Sequence, residues 1–195
     1  MINYKLNNYI FIKKLNENNK INIIKLINRN IIYEHSKTDV SEKNLAEIKK
    51  FCLKSKTKLY IVDDYKLASK IKAQGIYVSS KNKRIIPSFF INKKYHIIGS
   101  AHNQLEYYFK RKQRCKTIAL SPVFYNPKYS LNKTLGPIRF NLISQNWNEN
   151  LICLGGINNK NFKRLKIIRA KSIGFSRLIE EKPARISGQV YKFRN

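Results

Sequence analysis

Apolar residues in this chain fall in short runs rich in Ile, Leu, Val and Tyr, and longer polar segments separate them. Eight runs stand out, at residues 9–12, 31–33, 58–62, 75–78, 96–99, 117–120, 151–154 and 172–175. Each is too short for a helix, and most are continuously apolar, which is the pattern of a strand covered on both faces. Five of the segments between them read as helices, at residues 41–55, 65–73, 103–112, 136–145 and 159–168. The clearest is 41–55, where Leu45, Ile48, Phe51 and Cys52 recur at helical spacing and Asp39 with Glu42 resembles a capping box. Strand and helix alternate over the whole length, so right-handed crossovers and a parallel sheet are expected. Eight units favour closing that sheet into a (β/α)8 barrel, of the α/β class, over leaving it open and doubly wound.

The sharpest punctuation is Leu151-Ile-Cys-Leu-Gly-Gly-Ile157, an apolar run that ends in two glycines before a polar, helix-like segment. Glycines just past a strand let backbone N–H groups approach a ligand that a Cβ would exclude; alternatively they only permit a tight turn. The same order of strand and small residue recurs at Ile97-Ile-Gly-Ser100 and Ser172-Ile-Gly-Phe-Ser176. In a barrel all three belong to the C-terminal rim, where function is expected. Two long polar connections, 79–88 and 124–134, follow strand ends and belong there as well. Residues 180–195 are polar and basic with little periodicity and are expected to form a tail beyond a single domain spanning 1–179.

Composition narrows the partners. No 18-residue apolar window exists, and Lys5, Asn7, Asn8, Lys13 and Lys14 interrupt the first fifteen residues, so neither a membrane span nor a secretory signal is expected. A cytoplasmic location without a membrane partner follows as the expectation. Three cysteines, Cys52, Cys115 and Cys153, form no C-x-x-C pair, which argues against disulfides and zinc. The 40 Lys and Arg against 11 Asp and Glu give a net charge of +29, a field that attracts nucleic acid, acidic lipid or phosphorylated metabolites. A/T-rich codon usage accounts for the many lysines better than for the scarcity of acids. In Tyr107-Tyr-Phe-Lys-Arg-Lys-Gln-Arg114, aromatic residues sit beside four cations, the makings of a nucleic-acid surface. The plainer reading, which is preferred, is an outer barrel helix with Leu105, Tyr108 and Phe109 packed inward and its lysines solvated.

Five segments in order, each at an expected strand end, carry a family resemblance: Leu59-Tyr-Ile-Val-Asp-Asp64 with Leu67 to Val78; Ile97-Ile-Gly-Ser-Ala-His102; Ser121-Pro-Val-Phe124 with Leu135-Gly136; Leu154-Gly-Gly-Ile157; and Gly174-Phe-Ser176. In these the chain resembles the thiamine phosphate synthases and their sister group, the thiazole tautomerases, both (β/α)8 barrels. The resemblance implies a transferase: an aminopyrimidine diphosphate loses pyrophosphate with magnesium assistance, and the nitrogen of a thiazole phosphate captures the resulting cation.

It further implies that Gly155, Gly156 and Ser176 hold the thiazole phosphate and that Ser100 contacts pyrophosphate. His102 aligns with a tautomerase histidine placed for proton transfer, although a histidine there also serves as a helix cap. Asn126 and Lys128 stand in the substrate loop, with Lys133 nearby. The metal-binding pair of aspartates reads as Asp64 and Asn82, so magnesium keeps one carboxylate; Asp64 reads equally as the N-cap of the segment after it. The Gln-x-Arg-x-Lys clamp after the second strand is replaced by Glu34, Ser36 and Thr38, unless a register shift brings in Lys37. Phosphorylated small molecules are the expected ligands. A tautomerase-like isomerase and a non-catalytic basic barrel binding nucleic acid are the alternatives, and homodimer formation is left open.

Overall fold

The computed structural model describes residues 6–35, 41–92, 95–125 and 133–175. Eight strands, β1 (Asn7–Ile12), β2 (Arg29–Tyr33), β3 (Lys58–Val62), β4 (Gly75–Val78), β5 (His96–Ala101), β6 (Thr117–Leu120), β7 (Asn150–Leu154) and β8 (Ser172–Phe175), pair in parallel in chain order. The sheet closes where β8 pairs with β1, from Asn7↔Ser172 to Ile10↔Phe175. Among the described residues, six α-helices lie in the crossovers: α1 (Glu17–Ile24), α2 (Glu42–Lys54), α3 (Tyr65–Lys70), α4 (Ser88–Asn92), α5 (Gln104–Lys112) and α6 (Gly136–Ser144). The molecule is the (β/α)8 barrel expected from the alternation.

Closure makes two apolar compartments. Tyr9, Ile32, Tyr60, Tyr77, Ile98, Ala119 and Ile152 fill the inside of the barrel. The alternate strand residues, Ile10, Ile31, Ile61 and Ile76 among them, pack outward beneath the helices. Burial on both faces is why the strands read as unbroken apolar runs.

Several helix starts have side-chain caps. Asn16 accepts from the Asn19 N–H at 2.8 Å, Asp64 from Leu67 at 2.8 Å and Asn103 from Glu106 at 2.9 Å. The cap of α2 is Ser41, accepting from the Asn44 N–H at 3.3 Å; Asp39 lies outside the described residues. The segment expected as a helix at 159–168 forms a 3-10 turn at Phe162–Ile167. α1 and α4 have no apolar periodicity to announce them: α1 buries only Asn19 and Ile23 and leaves Ile21 and Ile24 exposed.

α5 meets the barrel on a different face from the expected one. Tyr107 and Lys110 point inward, while Leu105 and Tyr108 are 64% and 52% exposed. The ring of Tyr107 stacks on Trp147 with centroids 4.0 Å apart, and its hydroxyl donates to Glu149 at 2.7 Å. Lys110 is fully buried and passes over Gly99 of β5, where a Cβ would come within 2.9 Å of its chain. Its ammonium donates to the carbonyls of Ser79 and Asn82 at 2.7 Å each and to Gln113 Oε1 at 2.8 Å. A lysine thereby fastens the connection between β4 and α4 from behind.

No described helix is long and apolar enough to cross a membrane. Cys52, Cys115 and Cys153 are buried free thiols, and burial pushes each pKa up to about 12, which keeps them from acting as nucleophiles at neutral pH.

Candidate functional site

The turn after β7 is built from its carbonyls outward. The Leu154 carbonyl accepts from the Val123 N–H at 2.9 Å and the Gly155 carbonyl from Phe124 at 3.0 Å, so both point into the connection after β6. A trans peptide sets N–H opposite C=O, which aims the Gly155 and Gly156 amide hydrogens away from β6 and toward β8. β8 is the adjacent strand, with Leu154 opposite Gly174. Gly155 and Gly156 have φ of +96° and +68°, and a Cβ on Gly156 would collide with the carbonyl oxygens of Phe124 and Tyr125. The tight turn and the amide orientation are therefore one feature: the packing that demands glycine is the packing that orients the N–H groups. The Gly156 carbonyl is held by Asn161 Nδ2 at 2.7 Å. Arg164 lies over the Phe124 ring, 5.5 Å from its centroid, which brings a cation to this sector. Neither Asn161 nor Arg164 was singled out by the sequence, where they read as surface residues of an ordinary crossover helix. Ser176 lies outside the described residues.

The connection after β6 also touches the end of β5. His102 Nδ1 is 2.7 Å from the Ser121 carbonyl oxygen and 3.2 Å from its Oγ. A carbonyl only accepts, so in this contact Nδ1 carries a proton and donates. The His102 N–H donates to Glu106 Oε2 at 2.7 Å, anchoring the residue to the first turn of α5. Ser100, 6% exposed, shares the inward face of β5 with Ile98 and lies just below His102. Residues 121–125 thus connect the Ser100–His102 strand end to the Gly155-Gly156 turn.

On the opposite side, Asp64 Oδ1 caps α3, and its Oδ2 lies 3.5 Å from His35 Nε2. Asn82 does not meet Asp64. Its Nδ2 donates to Asp63 Oδ1 at 2.8 Å, the oxygen that also accepts from the Ser79 N–H at 3.0 Å, and its own Oδ1 accepts from Arg84 N–H at 3.1 Å. Asp63 takes φ +53° to reach this position. Magnesium seeks carboxylate oxygens with open coordination positions. Here an amide N–H stands where the second acceptor is needed, and no cluster of three or more metal-ligating side chains occurs among the described residues. Asp64 is thus the one carboxylate of the aligned pair, and Asn82 is engaged with Asp63 instead.

Between the ends of β1 and β2 and the start of α2 lies a cleft of about 530 Å³, lined by Lys13, Lys14, Glu34 and His35 among others. Glu34 is the only described member of the altered clamp; Ser36, Lys37 and Thr38 lie outside the described residues, as do Asn126 and Lys128 of the substrate loop. Lys133 is exposed.

The sequence profile of the thiamine monophosphate synthase family matches residues 17–179. No curated protein sequence matches the chain. Among solved structures, a thiamine phosphate pyrophosphorylase from Pyrococcus furiosus is similar with a TM-score of 0.69 at 15% identity, over 90% of this chain and 88% of that one. An orotidine 5'-monophosphate decarboxylase from Methanocaldococcus jannaschii follows at 0.62 and 12%, over 92% and 94% of the two chains. An N-acetylmannosamine-6-phosphate 2-epimerase from Clostridium perfringens gives 0.61 and 13%, over 89% and 87%. At these identities the structural likeness is one of fold.

Proposed function

The chain belongs to the thiamine monophosphate synthase family, and on that premise we propose that its C-terminal rim binds a thiazole phosphate and joins it to an aminopyrimidine diphosphate. The bond between the pyrimidine methylene carbon and the diphosphate oxygen breaks, and pyrophosphate leaves with the electron pair. The thiazole nitrogen lone pair then forms the new carbon–nitrogen bond. The observation that carries the reading is the turn after β7, whose carbonyls are turned into the β6 connection so that its amide hydrogens face β8. Backbone amides there suit a phosphate monoester without a side-chain cation. The Ser100 hydroxyl, on the inward face of β5, is the donor assigned to the departing pyrophosphate.

His102 supports a second reading, isomerisation of the thiazole. With its proton fixed on Nδ1 by the Ser121 carbonyl, its Nε2 suits removal of a ring proton and its return elsewhere. Three reduced thiols accord with a cytoplasmic setting for either reaction.

The test is direct. The purified chain is incubated with both substrates, with and without magnesium, and thiamine phosphate and pyrophosphate are quantified. Equal amounts of the two products are expected. Conversion of a thiazole tautomer without coupling would favour the isomerase, and absence of both reactions together with no binding of thiamine phosphate would overturn the assignment.

A further inference from the structure

The two ends of the barrel differ in charge. All eight strands run the same way, so their starts, together with the C-terminal ends of the helices between them, lie at the end opposite the rim. Lys58 opens β3, and Lys116 and Lys171 directly precede β6 and β8. Lys56, Lys72 and Arg114 stand between a helix and the strand that follows it, with φ of +52°, +55° and +57°. All six are exposed, and none forms an ion pair among the described residues. The described acids lie elsewhere. Glu17, Glu42, Glu47 and Glu106 sit in the first halves of helices, and Glu34, Asp63 and Asp64 follow strands, which puts them toward the rim. Glu149 alone among them precedes a strand, and it is already engaged by the Tyr107 hydroxyl at 2.7 Å and by Arg111 at 3.4 Å. We propose that this N-terminal end of the barrel is a docking surface for an anionic lipid bilayer.

Helix dipoles account for acids in first turns and cations in last turns, and the effect fades beyond those turns. They do not account for Lys58, Lys116 and Lys171, which stand at strand starts. Nor do they account for cations at positive φ, where glycine or asparagine fits with less strain. Two of these charges converge. After burial, Lys58 and Lys116 are what lower the proton affinity of His96, whose ring lies between Tyr60 and Thr117 within this end of the barrel. Like charges gathered without acids repel one another, and a surface of many anions relieves that repulsion.

The aliphatic residues at the same end choose the kind of anion. Ile24 and Ile27 at the close of α1, Leu53 at the close of α2 and Ile167 at the close of the 3-10 turn are between 52% and 72% exposed. Ile24 and Ile27 flank Lys25, Leu53 precedes Lys54, and Ile167 follows Lys166. The phosphates of a nucleic acid gain little from aliphatic side chains. A bilayer takes them below its headgroups while the ammonium groups stay among the anionic heads. No described helix is long and apolar enough to cross a membrane, so the contact is one at the surface. Docking by this end leaves the Gly155-Gly156 turn facing solution, and the inference stands apart from the function proposed for the rim.

The test is co-sedimentation of the full chain with vesicles of phosphatidylcholine, alone or mixed with phosphatidylglycerol, in about 0.1 M salt, where charges beyond about 10 Å are screened. The same assay is made on Lys58→Gln/Lys116→Gln/Lys171→Gln. Lys43→Gln/Lys66→Gln/Lys163→Gln is the control, which removes equal charge from exposed second positions of α2, α3 and the 3-10 turn. Wild type is expected on the mixed vesicles and not on the neutral ones, the first variant roughly tenfold or more weaker, and the control within about threefold. Leu53→Ser/Ile167→Ser is expected to bind the mixed vesicles about threefold or more weakly while its binding to a short duplex RNA, read by fluorescence anisotropy, matches wild type. No vesicle binding, equal binding to neutral vesicles, equal losses in the two lysine variants, or full vesicle binding by Leu53→Ser/Ile167→Ser overturns the proposal. Duplex binding that needs Lys58, Lys116 and Lys171, beside vesicle binding that does not, also overturns it and gives this end to a nucleic acid.

Discussion

His102 is held through both its ring and its backbone, which allows its structural and chemical roles to be separated. In His102→Asn the side-chain amide still donates to the Ser121 carbonyl and the Glu106 contact to the backbone remains. The melting temperature should therefore hardly move, while thiazole isomerisation, the reaction in which His102 acts, falls by roughly a hundredfold or more in kinetic assays. Unchanged turnover would reduce His102 to a helix anchor. His96 sits at the other end of the barrel, between the Tyr60 hydroxyl at 3.1 Å and Thr117 Oγ1 at 2.9 Å. Burial, then the charges of Lys58 and Lys116, lower its pKa below 6.5, so the folded state disfavours the protonated ring that the unfolded chain accepts. Its contribution to stability is present above the unfolded value and is lost as pH falls toward the folded one. Denaturant melts between about pH 7.5 and 5 should show wild type losing more stability than His96→Gln. Lys110 makes a third case. Truncation to Ala strips three acceptors of their donor and opens a void over Gly99, so chemical denaturation should register a loss of about 3 kcal/mol or more. Nothing in the sequence marks this lysine, because a lysine on an amphipathic helix reads as solvated.

At the level of elements, the strands were legible because closure buries both faces and leaves an apolar run with sharp ends. Gly155-Gly156 was legible for the same reason, as punctuation at such an end. Helix phase was harder to read. In α5 the aromatic run Tyr107-Tyr-Phe109 offers several apolar faces, and the choice fell to Trp147, which stacks on Tyr107 and so turns Tyr108 outward. Asp64 read as metal ligand or N-cap, and it caps α3; Asn82, read as its partner, is held by the neighbouring Asp63, to which the sequence reading gave no role. Lys13 and Lys14 read as interruptions of an apolar run, and only the approach of β2 and α2 gives them a cleft. Strand contact also imposes a limit that no periodicity reveals. Gly75 of β4 lies opposite His96 of β5, and a Cβ on it would run into the His96 carbonyl oxygen. Gly75→Ala should wedge the two strands apart at a cost of about 4 kcal/mol or more, read as a loss of cooperative unfolding or of folded protein.

For the molecule as a whole, the +29 charge and the rim chemistry point the same way, toward anions. Charge alone does not choose among them. On α5, Lys112 lies over the exposed Tyr108 ring at 4.6 Å and Lys83 over Phe109 at 5.0 Å, arrangements that suit a nucleic acid; the family match and the turn after β7 favour a small phosphorylated ligand at the rim. That turn carries the account, and it can be watched directly. The chain contains seven glycines, so selective ¹⁵N-glycine labelling gives a simple spectrum in which Gly155 and Gly156 can be assigned by substitution. On titration with thiamine phosphate their amide signals should shift saturably while those of Gly75, Gly99 and Gly136 stay in place. If Gly155 and Gly156 are unmoved at saturating ligand, the phosphate does not sit on this turn and the assignment fails.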